Sequence, residues 1–428
     1  GASQSGFGRT GTVDWQTSSI KTSTFTAANG EGYFANTSGG AFTMNLPAGT
    51  AGNIVSVVDY TNTFQTNALT VAPNGSQKIG GVAAATTLTT EGQSVTLVYV
   101  DDTEGWKNVQ DSTSNLTGSA FITASGGTIT TSGDCKIHTF TGPGTFTVCA
   151  ISASCATNNI VSYVVVAGGG GGGGSHDAPD NRAGGAGGAG GYREVKNPVT
   201  PYTASPLDGY PSAPNRVTVT ATSFPITVGA GGAGGRRSSN NSANGSNSIF
   251  STITSAGGGR GGMAIGGPVG FPGCGGDGGS GGGGSGGGAG TASVKGDGNT
   301  PPTSPAQGFD GGTGSGPGGG AGGGGATAAG GNACSSDGGP GGAGATSSIN
   351  ATPTARAGGG GGAGASGGGM AGGAGGGGPG GGSNTAGTAG TTNTGGGGGG
   401  AGWGPDGSTN SLGGSGGSGI VIIRYKFQ

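Results

Sequence analysis

Seven consecutive glycines, residues 168–174, open a stretch that runs to residue 419 and in which glycine is the dominant letter. Ordering one residue costs ~1–2 kcal/mol of conformational entropy. Glycine has no side chain to bury in return, and it loses more freedom on ordering than any other residue. A stretch of this kind is therefore a flexible linker, unless backbone hydrogen bonding and close packing hold it in place.

The second possibility has a definite geometry. In the extended left-handed helix with three residues per turn, N–H and C=O groups point outward and make no internal hydrogen bonds. Without Cβ atoms, neighbouring helices can approach until those groups pair with one another, and every buried backbone group then has a partner. A period of three also places every third residue on one ridge. Ala183, Ala186 and Ala189, each separated by two glycines, fit that ridge, with alanine on an outward edge. A flexible linker would mix serine and charge evenly with glycine. This chain instead alternates nearly pure Gly/Ala runs with longer polar or aromatic inserts, and structureless loops of such length are rare in compact domains. The expectation is a lattice of packed polyglycine-II helices.

Composition narrows the functional classes. Only 8% of residues are charged and the net charge is -2, which is too little charge for a solvating disordered tail. Lys and Arg number 16 against 18 Asp and Glu, and no basic run exceeds Arg236-Arg237, so nucleic-acid binding has little electrostatic support. The longest aliphatic runs, 160–167 and 420–423, are too short to span a bilayer as helices. No charged-then-apolar signal segment opens the sequence. The five cysteines form no CxxC pair and the two histidines are far apart in sequence, which argues against a structural zinc site. Cys149 and Cys155 flank a turn and could close a short disulfide loop; free thiols are the alternative.

Strand signals fill the rest of the chain. Residues 32–36, 42–46, 53–59, 68–72 and 94–100 read as short strands broken by turns, and Phe42, Met44 and Leu46 alternate with polar neighbours. No long stretch has helical apolar spacing, so this region reads as a β-sandwich or barrel. Ile129, Ile137, Phe140, Phe146 and Val148 lie on further strands, with a hairpin turn at 141–145. Residues 160–166 form a β-branched strand that runs into the seven glycines. The chain closes on another strand, 420–427, with Val421, Ile423, Tyr425 and Phe427 on one face and Ile420, Ile422, Arg424 and Lys426 on the other. The simplest arrangement pairs it with 160–166. Residues 217–221, 226–228 and 249–254 read as pieces extending the same sheet. The fold class is all-β, with an N-terminal β-sandwich-like module at 1–114, a β connector at 115–159 and a glycine-rich domain at 160–428.

Two sets of motifs resemble tail-fibre proteins of tailed bacteriophages. The first is Gly32-Tyr33-Phe34, Asn45-Leu46-Pro47-Ala48-Gly49, Ala72-Pro73-Asn74-Gly75, the run 95–100 and Gly105-Trp106-Lys107. The second is His138-Thr139-Phe140-Thr141, the runs 144–148 and 163–167, Ala189-Gly190-Gly191-Tyr192-Arg193-Glu194, the run 227–232 and the run 418–425. Together they span most of the chain. The resemblance implies a virion-surface, extracellular protein in which a glycine-helix scaffold carries variable loops to a host receptor.

Catalytic chemistry has little sequence support. GxGxxG matches recur by chance at this glycine content, and none sits in a βαβ unit. Ser175-His176-Asp177 holds the letters of a triad, but adjacent residues rarely give triad geometry. Asp277, Asp297, Asp310, Asp337 and Asp406 sit beside glycines, as turn formers do. No enzyme, cofactor or metal site is expected. The inserts between glycine runs are the candidate contact surface, because aromatic and arginine side chains give large contact area. The candidates for receptor binding are Tyr202, Tyr210, Phe271, Phe309, Trp403, His176, Arg236 and Arg237. The function expected is a tail-fibre or adhesin protein that binds a host glycan or outer-membrane protein and joins other virion proteins, possible as a homotrimer. It would not insert in a membrane or bind nucleic acid. The alternatives are a purely structural capsid or filament surface protein and, less favoured, an ice-binding protein.

Overall fold

The computed structural model describes residues 13–112, 121–152, 155–175, 182–236, 242–264, 273–287, 292–316, 318–404 and 412–428. The chain is all-β: among the described residues the only helical pieces are short 3-10 turns at Ala156–Asn159 and Ala213–Asn215. It divides into two compact units, Gly1–Gly118 and Ser119–Gln428.

The first unit has two facing sheets. One holds β1 (Asp14–Trp15), β3 (Glu31–Ala35), β5 (Ile54–Asp59), β8 (Ser94–Asp101) and β9 (Gly105–Ser112). The other holds β2 (Phe25–Thr26), β4 (Phe42–Asn45), β6 (Leu69–Ala72) and β7 (Thr86–Leu88). The chain alternates between sheets from β1 to β6, so β1–β3–β5 and β2–β4–β6 are parallel neighbours. Tyr33, Val55, Val57 and Leu97 from one sheet meet Met44, Leu69 and Val71 from the other in a single core. The alternation of Phe42 and Met44 with polar residues is what lets β4 bury one face only.

The second unit also starts from two facing sheets. One has the order β10 (Thr123–Ser125), β13 (Gly144–Ala150), β17 (Ser223–Thr227), β18 (Ser248–Phe250), β19 (Ile253–Ser255). The other runs β11 (Thr128–Ser132), β12 (Cys135–Phe140), β22 (Ile420–Lys426), β14 (Ile160–Val166), β15 (Tyr192–Val195), with β16 (Val217–Thr218) also on β14. A separate hairpin joins β20 (Ala345–Ser347) to β21 (Thr354–Arg356). As expected, the last strand pairs with 160–166, antiparallel, with Val166 opposite Ile420 and Ser162 opposite Arg424. Two strand expectations are corrected. Residues 223–227 and 248–255 belong to the facing sheet, where Ile226, Phe250 and Ile253 fill the core between the sheets. Residues 249–254 are a tight hairpin, with Ser251 in the left-handed region (φ 54°), because Phe250 and Ile253 must both turn inward.

Strand β22 is buried on both faces. Val421, Ile423 and Tyr425 enter the core between the sheets, while Ile420 and Ile422 join a second cluster with Val164, Val166, Tyr192, Ala189 and Ile349. Cys149 and Cys155 are free, exposed thiols, so the short disulfide loop does not form.

Strands of this unit, β14, β15 and β22 among them, adjoin glycine runs directly, and these runs are ordered by backbone hydrogen bonds of period three. In run 168–174, the N–H groups of Gly168 and Gly171 donate to Ser246 and Ala243. Those of Gly169 and Gly172 donate to Gly417 and Gly414, and those of Gly170 and Gly173 to Gly188 and Gly185, all at 2.8–3.0 Å. The carbonyls of the same residues accept, again in steps of three, from Gly258 and Gly261, from Gly232 and Gly235, and from Gly398 and Ala401. The run therefore has six neighbours, three antiparallel and three parallel. A Cβ on Gly172 would lie 2.0 Å from the Gly399 carbonyl oxygen, so no other residue fits there.

Run 183–191 is surrounded in the same way. Ala183, Ala186 and Ala189 do share one ridge, each donating to run 318–324 (2.9, 3.0 and 2.9 Å), but all three are fully buried. The expected outward alanine edge is corrected: with neighbours on every side, the run has no outward edge. Outer runs do expose every third residue, as at Asp337, Pro340, Ala343 and Thr346.

Candidate functional site

Run direction sorts the connections of the second unit to two ends. Run 168–174 leads away from β14, and run 183–191 returns to β15. Run 318–324 is parallel to 183–191 and so also returns, whereas runs 358–363 and 395–401 are antiparallel to it and lead away. Among the described residues, the turns that follow outgoing runs, at 334–337, 364–369 and 383–384, therefore gather at one end, remote from the strands. Ser175, Arg236, Asn384 and Trp403, which end outgoing runs, and Arg182, which opens a returning one, lie at the same end. The connections 192–227, 298–307 and 345–356 lie at the strand end.

This division separates the sequence candidates. Arg236 and Trp403 are at the distal end; Arg236 is exposed and Trp403 half-buried. Tyr202, Tyr210 and Phe309 are at the strand end. Tyr202 is half-buried against the outer cluster of β22, with the Arg424 guanidinium 5.4 Å from its ring centre and its hydroxyl donating to the Val195 carbonyl (3.3 Å). Burial, then the negative charge of Glu194, pushes its phenol far above the ordinary tyrosine range. Tyr210 packs on the core between the sheets and carries Arg216 stacked 4.4 Å from its ring centre. Phe309 is 41% exposed, and its backbone is bonded into the lattice at Gly325 and Gly281. The structure does not bring these three together with Trp403. His176, Arg237 and Phe271 lie outside the described residues.

One buried polar cluster escaped the sequence argument. Glu194, only 2% exposed, accepts from the Tyr192 hydroxyl (2.9 Å), the Ser205 N–H (2.9 Å) and the Ser347 hydroxyl (2.6 Å). Arg424 donates to the carbonyls of Ile349 (3.2 Å) and Pro201 (2.9 Å). Burial lowers the pKa of Arg356, against the raising effect of Tyr192 and Glu194. These residues fasten the strand-end loops to β15 and β22. The sequence carries one clear signal for it: Arg424 follows four apolar residues in β22.

Among the described residues, no group of three or more His, Cys, Asp or Glu could hold a metal ion. No helix there is long and apolar enough to cross a membrane. Among the described residues the two ends differ in kind: the strand end is a fastened polar and aromatic seam, and the distal end carries short turns on bonded glycine runs.

A β-structured unit that extends into hydrogen-bonded glycine runs defines a glycine-rich structural domain. The glycine-rich domain family matches residues 139–426, and the chain belongs to that family. No curated protein matches the chain.

Proposed function

We propose that the protein is a virion-surface tail-fibre or adhesin component, in which a lattice of polyglycine-II helices presents its distal turns to a host-cell receptor. The observation that carries this is the gathering of the outgoing connections at one end of runs whose backbone groups pair with up to six neighbours. A rigid mount lowers the ordering cost of binding, because the loops start from fixed ends. The tail-fibre motifs in both units support the same assignment. Trp403 and Arg236 are the contact residues best placed for it, and the first unit would attach to sister chains or other virion proteins.

The test is adsorption of the full chain to a panel of bacterial cells. Saturable binding that disappears when the distal inserts are exchanged, with melting unchanged, supports the proposal; no binding to any cell in the panel counts against it.

A second reading, ice binding, draws on the outer run 385–391. Thr385, Thr388 and Thr391 are exposed at intervals of three, beside exposed Ala386 and Ala389. Thermal hysteresis of the purified chain separates the two: its presence favours ice binding, and its absence removes that reading.

A further inference from the structure

The dipeptide Asn-Gly occurs three times in the chain, at Asn29-Gly30, Asn74-Gly75 and Asn244-Gly245. In each, an amide side chain stands next to a backbone nitrogen, and glycine carries no side chain to block the approach of one to the other. Ring closure between them needs both groups free. A glycine nitrogen held in a hydrogen bond must first leave it, which takes a local opening of the fold.

Two of the three pairs are held at both groups. Asn29 Oδ1 accepts from the Ile54 N–H (2.9 Å), while the Gly30 N–H donates to the Ile54 carbonyl (2.8 Å). Asn244 Oδ1 accepts from the Arg260 N–H (2.8 Å), and the Gly245 N–H donates to the Gly258 carbonyl (2.9 Å). Asn74-Gly75 lies in the connection between β6 and β7. Neither the Asn74 side chain nor the Gly75 N–H makes a hydrogen bond among the described residues. Asn74, Gly75 and Ser76 are all exposed, and a Cβ on Gly75 would meet nothing within 4 Å. The turn itself is anchored: the Gln77 N–H donates to the Asn74 carbonyl (3.0 Å), and the Gln77 side chain clasps the Gly49 backbone (2.9 and 3.0 Å). These bonds leave the two reacting groups untouched.

We propose that Asn74 is a modification site, at which the folded protein converts asparagine to aspartate and isoaspartate, while the fold protects Asn29 and Asn244. The Gly75 nitrogen bonds to Asn74 Cγ and gives up its proton. The Cγ–Nδ2 bond breaks and ammonia leaves, closing a succinimide ring. Water from the solvent then adds to one of the ring carbonyls. Cleavage of the new N–Cγ bond gives aspartate. Cleavage of the original peptide bond gives isoaspartate, whose backbone runs through the former side chain and is longer by one carbon. Nothing is oxidised or reduced. Either product is a carboxylate, ionised above about pH 4, so the turn gains a negative charge in a chain whose net charge is -2.

The experiment incubates the folded full chain in mildly alkaline buffer and maps it over time by mass spectrometry. Cleavage after Lys21, Glu31, Lys78, Arg237 and Arg260 puts the three asparagines in separate peptides. A zero-time sample corrects for conversion during digestion. Asn74 is expected to convert at least about tenfold faster than Asn29 and Asn244, with isoaspartate among the products. Asn74→Gln should remove the main acidic form that accumulates. In denaturant the three rates should converge. Conversion of Asn74 in the folded chain at or below the rate of either other asparagine overturns the proposal. A lead for Asn74 that persists undiminished in denaturant also overturns it, because the difference would then come from the flanking residues and not from the fold.

Discussion

Val166 and Ile420 face each other across β14 and β22, and the same two segments remain bonded beyond the strands, where the Gly169 N–H donates to the Gly417 carbonyl at 2.9 Å. The sheet register passes into the glycine register without a break. A uniform glycine run can slip past its neighbours with little change in bonding. The side chains of β14 and β22 supply the alignment that the glycines lack.

Close approach makes glycine obligatory inside the lattice but not at its margin. Gly172→Ala places a methyl 2.0 Å from the Gly399 carbonyl oxygen, whereas a Cβ on Gly368 meets nothing within 4 Å. Gly172→Ala is expected to destabilise the unit by about 1–3 kcal/mol or more, and Gly368→Ala by less than about 0.5 kcal/mol. Denaturant melts of the two variants compare them directly.

Arg424 holds two strand-end loops through the Ile349 and Pro201 carbonyls. Arg424→Met keeps the length of the side chain and removes both donors, leaving those carbonyls to find other partners. The expected loss is about 1–3 kcal/mol, with faster amide exchange at residues 199–203 and 347–351. Unchanged exchange in both loops would mean that Arg424 does not fasten them.

His138 is fully buried between Phe146 and Tyr425, with Nδ1 donating to the Gly126 carbonyl (2.7 Å). Burial lowers its pKa, the Gly126 hydrogen bond opposes the shift, and Lys136 adds to it. The folded value lies below the unfolded value of about 6.5. The neutral imidazole therefore contributes stability that is complete above about pH 6.5 and is lost as pH falls through the folded value. Melting temperature should drop from pH 6.5 toward 5, and His138→Phe should make that slope shallower. An unchanged slope in the variant would assign the pH dependence to other groups.

Much of the scaffold was legible from local pattern. Period-two alternation gave β4, and the β-branched runs gave β14 and β22 and their pairing. The sheet membership of β17 to β19 was not legible, because short strands carry no mark of which facing sheet they join. The buried alanine ridge was missed because a period of three shows that residues share a face, not how many neighbours cover it. At the distal end, Trp403 and Arg236 stood out as insert residues, but only the run directions place them at the same end. Tyr202 and Tyr210 looked like insert aromatics. Their packing partners Arg424 and Arg216, one of them 222 positions away in the chain and the other six, are fixed only by the fold.

The central claim is that the glycine runs are an ordered scaffold, and amide hydrogen exchange across residues 168–419 tests it most directly. Runs 168–174, 183–191 and 395–401 should exchange only on unfolding of the whole unit, because their N–H groups are paired and enclosed. Exchange of these glycines at the rate of an unstructured chain, while β14 and β22 stay protected, would contradict the scaffold and restore the flexible linker.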